Sequence, residues 1–168
     1  MNRFLIIFFV SILLISNSYA QEQAGEKIVR NNVYLEILGN GFLYSINYER
    51  FFHPNFSLRS GVMFFTGTGE SEDGQTARAS LAIFPVMLNY LINFGNHHIE
   101  IGAGPELAYV SAYSDLFGKK AGFGIGGTAR IGYVYFPTSG GFNFRIAYTP
   151  ILSETFTHSF GIGVGYGF

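Results

Sequence analysis

Seven charges sit where charges are rare. Glu36, Glu49, Arg59, Glu100, Glu106, Arg130 and Arg145 each fall inside a stretch of alternating apolar residues. Four carboxylates and three guanidiniums in one interior predict interlocked ion pairs, because an unpaired buried charge costs several kcal/mol. The same set could instead line a gated ion path. Histidine forms a second group: His53, His97 and His98 fall at turn positions on one end of the molecule. Two adjacent histidines and a distant third are a poor ligand pattern for a metal, so they are taken as polar turn residues and no metal site is expected. Ser153, Glu154, His158 and Ser159 are residue types that a hydrolase uses. His158 and Ser159 are neighbours on a strand and point to opposite faces, so only Ser153 with His158 stays geometrically open. No G-x-S-x-G or H-x-x-x-H spacing accompanies them, and no catalytic residue is assigned.

The composition narrows what could hold these groups. Of 168 residues, 48% are hydrophobic, 18% aromatic and only 12% charged. An ordinary soluble domain carries about 25% charge, so the surface does not face water everywhere. A net charge of -1 gives no electrostatic case for nucleic acid. The absence of cysteine excludes disulfides, thiolate metal sites and a cysteine nucleophile. The glycine-rich runs lead into no strand-to-helix turn, so no nucleotide or other cofactor is expected. Residues 1–20 form a separate unit: Arg3, an apolar run over 4–15, then Ser18 and Ala20 at small-residue positions. This pattern predicts a signal peptide cut after Ala20, because the apolar run is too short to span a bilayer. Residues 21–31 are polar and expected to be loose.

From residue 32 the apolar pattern has period two, broken by turn signals. It predicts eight strands: 32–39, 42–52, 56–66, 79–94, 97–112, 122–136, 141–151 and 157–168. The connections alternate in kind. "HPN", "GN" and "PTSG" are short, whereas 67–78, 113–121 and 152–156 are longer loops, with "GNG" at 39–41 a tight exception. Short turns at one end and longer loops at the other fit an outer-membrane barrel. Parity agrees: Val33, Leu35 and Ile37 share a face opposite Tyr34 and Glu36, and every strand repeats the division. A two-residue Asn40-Gly41 hairpin would set Glu36 opposite Ser45. A two-residue Gly95-Asn96 hairpin would set Asn93 opposite His98. A three-residue turn over 53–55 would set Glu49 opposite Arg59, as a direct pair.

The face opposite the apolar one is mostly Gly, Ala, Ser and Asn with a few charges. That is a poor coat for a soluble barrel, and it suits a narrow lumen. Eight strands enclose little more than side-chain volume, so the charged set is expected to plug the lumen. In the last strand, Phe160, Ile162, Val164, Tyr166 and Phe168 alternate with Gly161, Gly163, Gly165 and Gly167. The aromatic and aliphatic residues are expected to face lipid and the glycines the lumen.

Signal peptide, eight strands, lumenal Glu and Arg and a terminal Phe together resemble the small outer-membrane barrels of the OmpX and OmpA-barrel type. "YLEILGNGFLYSINYERFF" (34–52) resembles barrel proteins of the Bacteroidetes group. Gly163, Tyr166 and Phe168 resemble the C-terminal assembly signal of such proteins, although Gly161 stands where that signal usually has a polar residue. The resemblance covers residues 32–168, and no OmpA-type peptidoglycan-binding domain is expected. It implies an all-β, up-and-down transmembrane barrel in a Gram-negative outer membrane. The implied partners are the bilayer, lipopolysaccharide and the barrel assembly machinery, with the protein a monomer. The implied role is structural or surface-interacting, without an open pore; a lipid-modifying enzyme of the outer leaflet and a narrow channel are the alternatives.

Overall fold

The computed structural model describes residues 29–70, 76–115, 118–153 and 155–168. The expected signal peptide, its cut at Ala20 and most of the segment expected to be loose lie outside the described residues. The end of that segment is anchored. Val29 is buried, the Arg30 carbonyl accepts the Phe51 N–H at 2.8 Å, and Asn31 opens the first strand.

Eight strands form an antiparallel ring: β1 (Asn31–Leu38), β2 (Tyr44–His53), β3 (Phe56–Glu70), β4 (Thr76–Phe94), β5 (His97–Ser114), β6 (Gly118–Tyr135), β7 and β8. β7 runs in two pieces, Gly141–Tyr148 and Ile151–Leu152. β8 does likewise, Phe156–Thr157 and Phe160–Gly167. Both breaks sit side by side. Pro150 has no N–H to give the ladder, and the Thr149 N–H donates to the Ser159 carbonyl at 2.8 Å across the gap. The register is the same on either side, with Tyr148 opposite Phe160 and Ile151 opposite Thr157. β1 and β8 close the ring, placing Glu36 opposite Gly163 and Leu35 opposite Val164. Closure matters because an open edge leaves backbone groups unpaired, at several kcal/mol each in hydrocarbon.

The three turns expected to set the register do so. Glu36 faces Ser45, Asn93 faces His98 and Glu49 faces Arg59. The first of them is built differently. Instead of a two-residue hairpin, Gly39–Gly41 form a 3-10 turn, with Leu38 (φ 61°) and Phe42 (φ 68°) in the left-handed region. The turn folds inward and buries Asn40 in the barrel mouth.

The loops expected at 67–78 and 113–121 are mostly strand. β3 pairs with β4 as far as Glu70 opposite Thr76, and β5 with β6 as far as Ser114 opposite Gly118. β2 leaves β3 at Val62, and β7 leaves β6 at Gly127. Four strands therefore continue alone past the ring as a blade. Its β3 edge, Met63 to Glu70, is about 25 Å of strand at ~3.3 Å per residue. At the tip, Asp115 accepts the Thr76 N–H at 2.8 Å and the Tyr113 hydroxyl at 2.9 Å, which together hold its carboxyl below the usual range.

Side chains sort by face as the alternation requires. Val33, Leu35, Ile46, Leu58, Leu88, Ile101, Ile131, Ile146, Ile162 and Val164 are exposed on the outside. The interior is layered. Val29, Phe51, Leu91, Val134 and Phe136 form an apolar plug at the short-turn end. Charged residues fill the middle, and Met63, Ile83, Met87 and the Asn40 turn cap the other end.

The glycines of β8 make room for the charged middle. A Cβ on Gly163 would sit 2.9 Å from Arg145 Cγ, and one on Gly161 would sit 2.8 Å from Glu36 Oε1. On Gly165 it would run into Tyr34. Leucine at Gly163 or Gly165 should therefore block closure or cost at least about 1–3 kcal/mol, as overpacking does. Leucine at Ile162 should be nearly neutral. Urea unfolding in lipid vesicles, with all variants on one background, checks the contrast; equal effects at 162 and 163 would contradict the assignment of faces.

Candidate functional site

The site is the charged layer, assembled from six strands. Alternation turns Glu36 (β1), Glu49 (β2), Arg59 (β3), Glu100 (β5), Arg130 (β6) and Arg145 (β7) inward, and the narrow ring forces them together. They form one unbranched chain of alternating charge. Arg59 Nη2 donates to Glu36 Oε2 at 2.8 Å, and Arg130 Nη1 to Glu36 Oε1 at 2.7 Å. Arg130 Nε reaches Glu100 Oε2 at 2.7 Å, and Arg145 Nη1 reaches Glu100 Oε1 at 3.4 Å. Arg145 Nη2 ends the chain on Glu49 Oε2 at 2.8 Å. Three guanidiniums and three carboxylates make the chain neutral, and its side chains are at most 1% exposed.

Neutral polar groups close both ends. Glu49 accepts from Ser57 Oγ at 2.6 Å, Asn32 Nδ2 at 3.2 Å and Asn89 Nδ2 at 3.3 Å. Arg59 donates from Nε and Nη2 to Asn47 Oδ1 at 3.0 and 2.8 Å, and from Nη1 to Asn40 Oδ1 at 3.1 Å. The inward turn thus contributes directly: Asn40 also donates to Thr128 Oγ1, tying β1–β2 to β6. The Tyr34 ring lies beneath the Arg145 guanidinium, 3.8 Å from its centroid, a cation–π contact that takes up the face no carboxylate covers. Parity put Tyr34 on the face of Glu36 but gave no sign of its contact with Arg145, and nothing in the sequence put Asn40 in this layer. Tyr34 had the right parity but an apolar-looking side chain.

Two expectations are corrected. Glu49 and Arg59 face each other in the ladder, yet they do not bind each other: Arg59 turns to Glu36, and Glu49 takes Arg145 from across the lumen. Glu106 is buried as well, but it stands outside the chain of pairs, and its Oε2 has no partner.

The histidines do not converge. His53 Nδ1 accepts the Asn55 N–H at 3.2 Å, His97 Nδ1 lies 2.6 Å from the Tyr133 hydroxyl, and His98 bridges Asn93 Oδ1 and the Phe136 carbonyl. Among the described residues no cluster of three potential metal ligands occurs. At the opposite rim, His158 Nδ1 lies 2.6 Å from the Tyr148 hydroxyl, Ser153 Oγ donates to the Thr155 carbonyl at 3.0 Å, and Ser159 Oγ donates to the Gly39 carbonyl at 3.1 Å. Glu154 lies outside the described residues. Gly163 abuts Arg145 from inside, whereas Tyr166 packs edge-on against Phe142 at 5.5 Å outside. Phe168 exchanges backbone bonds with Asn31 at 2.8 and 3.0 Å.

A double-mutant cycle tests the connectivity. Glu49→Gln or Arg145→Met alone should each cost about 3–5 kcal/mol, because each strands a buried partner, and the double variant should cost well below the sum. Glu49 with Arg59 should show a much smaller coupling. Equal couplings for the two cycles, read by urea unfolding in vesicles, would contradict the pairing.

No family model matches the chain, and no curated protein matches it in sequence. Solved structures do match. Ail, the attachment invasion locus protein of Yersinia pestis, solved in complex with the heparin analogue sucrose octasulfate, aligns at TM-score 0.54 and 12% identity, over 83% of this chain and 97% of Ail. The N-terminal β-barrel domain of Pseudomonas aeruginosa OprF aligns at TM-score 0.53 and 16% identity, over 83% of this chain and 99% of that domain. At such identities the likeness is one of fold: the chain has the architecture of the small eight-stranded outer-membrane barrels of OmpX and OmpA type.

Proposed function

We propose that this chain is an integral outer-membrane protein whose barrel is a sealed anchor and whose blade meets other surfaces. The observation that carries the proposal is the inversion of the usual order. Leu35, Ile101, Ile146 and Val164 point out, while three Arg–Glu units are buried within. Water would favour the opposite arrangement; hydrocarbon favours this one. Aromatic residues flank the outward aliphatic band, with Tyr90, Tyr133, Tyr135 and Tyr166 toward the short-turn end and Phe64, Phe123 and Phe160 toward the blade end. Such girdles mark the two interfaces of transmembrane barrels.

Three layers support a plug over a channel. The apolar cluster around Phe51 and Phe136 closes one end, the ion-pair chain fills the centre, and the Asn40 turn covers the other end. Function then falls to what projects beyond the membrane, the usual division between a rigid scaffold and the segments it presents. The blade is the largest such element, and a contact role fits it; the name of Ail states attachment for that protein. Export through a signal peptide cut after Ala20 belongs to the same proposal. So do insertion by the barrel assembly machinery through Gly163, Tyr166 and Phe168, and a monomer set among lipopolysaccharide.

Arginine at Val164 should cost about 2–4 kcal/mol in vesicles, as charges on the lipid face near the midplane do. Refolded protein in a planar bilayer should show no sustained conductance steps. Stable ohmic steps, or a variant Val164→Arg as stable as the parent, would contradict the sealed anchor.

A further inference from the structure

The outward wall of the ring is built of aliphatic and aromatic side chains, and one arginine breaks the pattern. Arg50 of β2 shares its face with Ile46 and Tyr48, whereas Arg59, Arg130 and Arg145 point into the lumen. It lies near the short-turn end, opposite Asn31 of β1 and Leu58 of β3 and beside the stacked rings of Phe52 and Phe56. An arginine at a membrane interface usually snorkels toward water on its flexible stem. Arg50 is instead clamped. Its Nη1 donates to Asn31 Oδ1 at 3.0 Å, and the Tyr48 hydroxyl donates to the same oxygen at 2.8 Å. The Asn31 amide is held from its other side, where Nδ2 donates to the Phe168 carbonyl at 3.4 Å. Among the described residues no carboxylate pairs with Arg50. Its sequence neighbour Glu49 points inward and takes Arg145. The exposed carboxylates among the described residues, Glu70 and Asp115, lie at the blade tip. A guanidinium fixed at an interface, with donors to spare and no anion of its own, calls for an anion from outside the chain.

A second polar group lies beside it. Ser60 of β3 faces Tyr48 across the ladder, two residues beyond Leu58 and about 7 Å further along the strand toward the midplane. It is half-buried, and it is the one aliphatic hydroxyl on the outward wall of the ring among the described residues. We propose that Arg50 and Ser60 seat an anionic glycerophospholipid of the leaflet at the short-turn end. The guanidinium takes the phosphodiester, for which its planar fork of donors is suited. Ser60 donates to an ester carbonyl of the glycerol, and the acyl chains run on over Ile46 and Val62, which face each other in the ladder. A net negative headgroup is selected, because this end offers no exposed carboxylate to a headgroup ammonium, and a phosphate balanced within its own headgroup gains less from Arg50. The inference rests on the reading of the ring as a membrane anchor.

The test uses the refolded full chain in phosphatidylcholine vesicles that contain a rising mole fraction of phosphatidylglycerol with brominated acyl chains. The chain has no tryptophan, so Leu58→Trp reports on the seat and Phe144→Trp on the far wall. Each is the second outward position from the short-turn end of its strand. After correction for depth with brominated phosphatidylcholine, half-maximal quenching at 58 should need about fivefold less phosphatidylglycerol than at 144. Arg50→Gln should abolish that difference. Lys119→Gln, which removes a cation from the blade, should leave it intact. Heat-modifiable gel mobility confirms that each variant is folded. No preference at 58, a preference that survives Arg50→Gln, or one lost equally with Lys119→Gln would each overturn the site and leave the anchor standing. Quenching of neither position by brominated phosphatidylcholine would overturn the anchor and the site together.

Discussion

The alternating chain Arg59–Glu36–Arg130–Glu100–Arg145–Glu49 is the interaction on which the rest of the structure depends. Six ionised groups out of water are tolerable only if every charge is matched and most of the remaining donors and acceptors are met; here Arg130 Nη2 and Arg145 Nε alone of the six groups' polar atoms are buried without a partner among the described residues. That requirement reaches outward through the fold. The ladder must hold six strands at fixed relative heights, since a slip of one residue would turn each charge to the outside. β8 must be bare on its inner face, because Arg145, Glu36 and Tyr34 occupy the space that its side chains would fill. The β1–β2 turn must fold inward, because Arg59 needs Asn40.

The same layer explains the division of labour between barrel and blade. An interior fixed by mutually dependent pairs cannot rearrange piecemeal, so the ring acts as one rigid body. The blade has no such core. Its strands are paired side to side, but β3 beyond Val62 and β6 above Gly127 each have a neighbour on one side only. What holds it is the backbone ladder and a few contacts such as Tyr109 against Phe123, with ring centroids 4.8 Å apart. Rigidity is concentrated where the membrane is proposed to be, and accessible surface in the blade.

Period-two alternation made the ring legible from the sequence, and so did the turn lengths, which fixed three registers. What was not legible depends on the third dimension. The ladder places Glu49 opposite Arg59, but long side chains choose partners across the lumen, and Arg145 reaches Glu49 from a strand far away in sequence. "GNG" at 39–41 carries the same residues as a tight hairpin, and only the pull of Arg59 and Thr128 on Asn40 distinguishes the inward turn. The stretches 67–70 and 76–78 looked like loop because Gly, Thr, Glu, Ala and Arg carry no apolar signal, yet they continue the ladder. Glu106 shares its parity with Glu100 but lies six positions along β5, roughly 20 Å of strand at ~3.3 Å per residue, which takes it out of the charged layer. Parity gave the face, and height along the strand, which parity ignores, decided the partners.

A barrel that spans the membrane must hold its outward aliphatic band in hydrocarbon and its blade outside it. The chain contains no tryptophan, so single tryptophans can be introduced without background. Ile101→Trp and Ile146→Trp place the probe on the outward band, and Tyr113→Trp places it near the blade tip. With the protein refolded into vesicles whose acyl chains carry bromine, fluorescence at 101 and 146 should be strongly quenched and fluorescence at 113 should be unaffected. Quenching at 113 as strong as at 101, or none at 101 and 146, would contradict a barrel that spans the membrane with its blade outside.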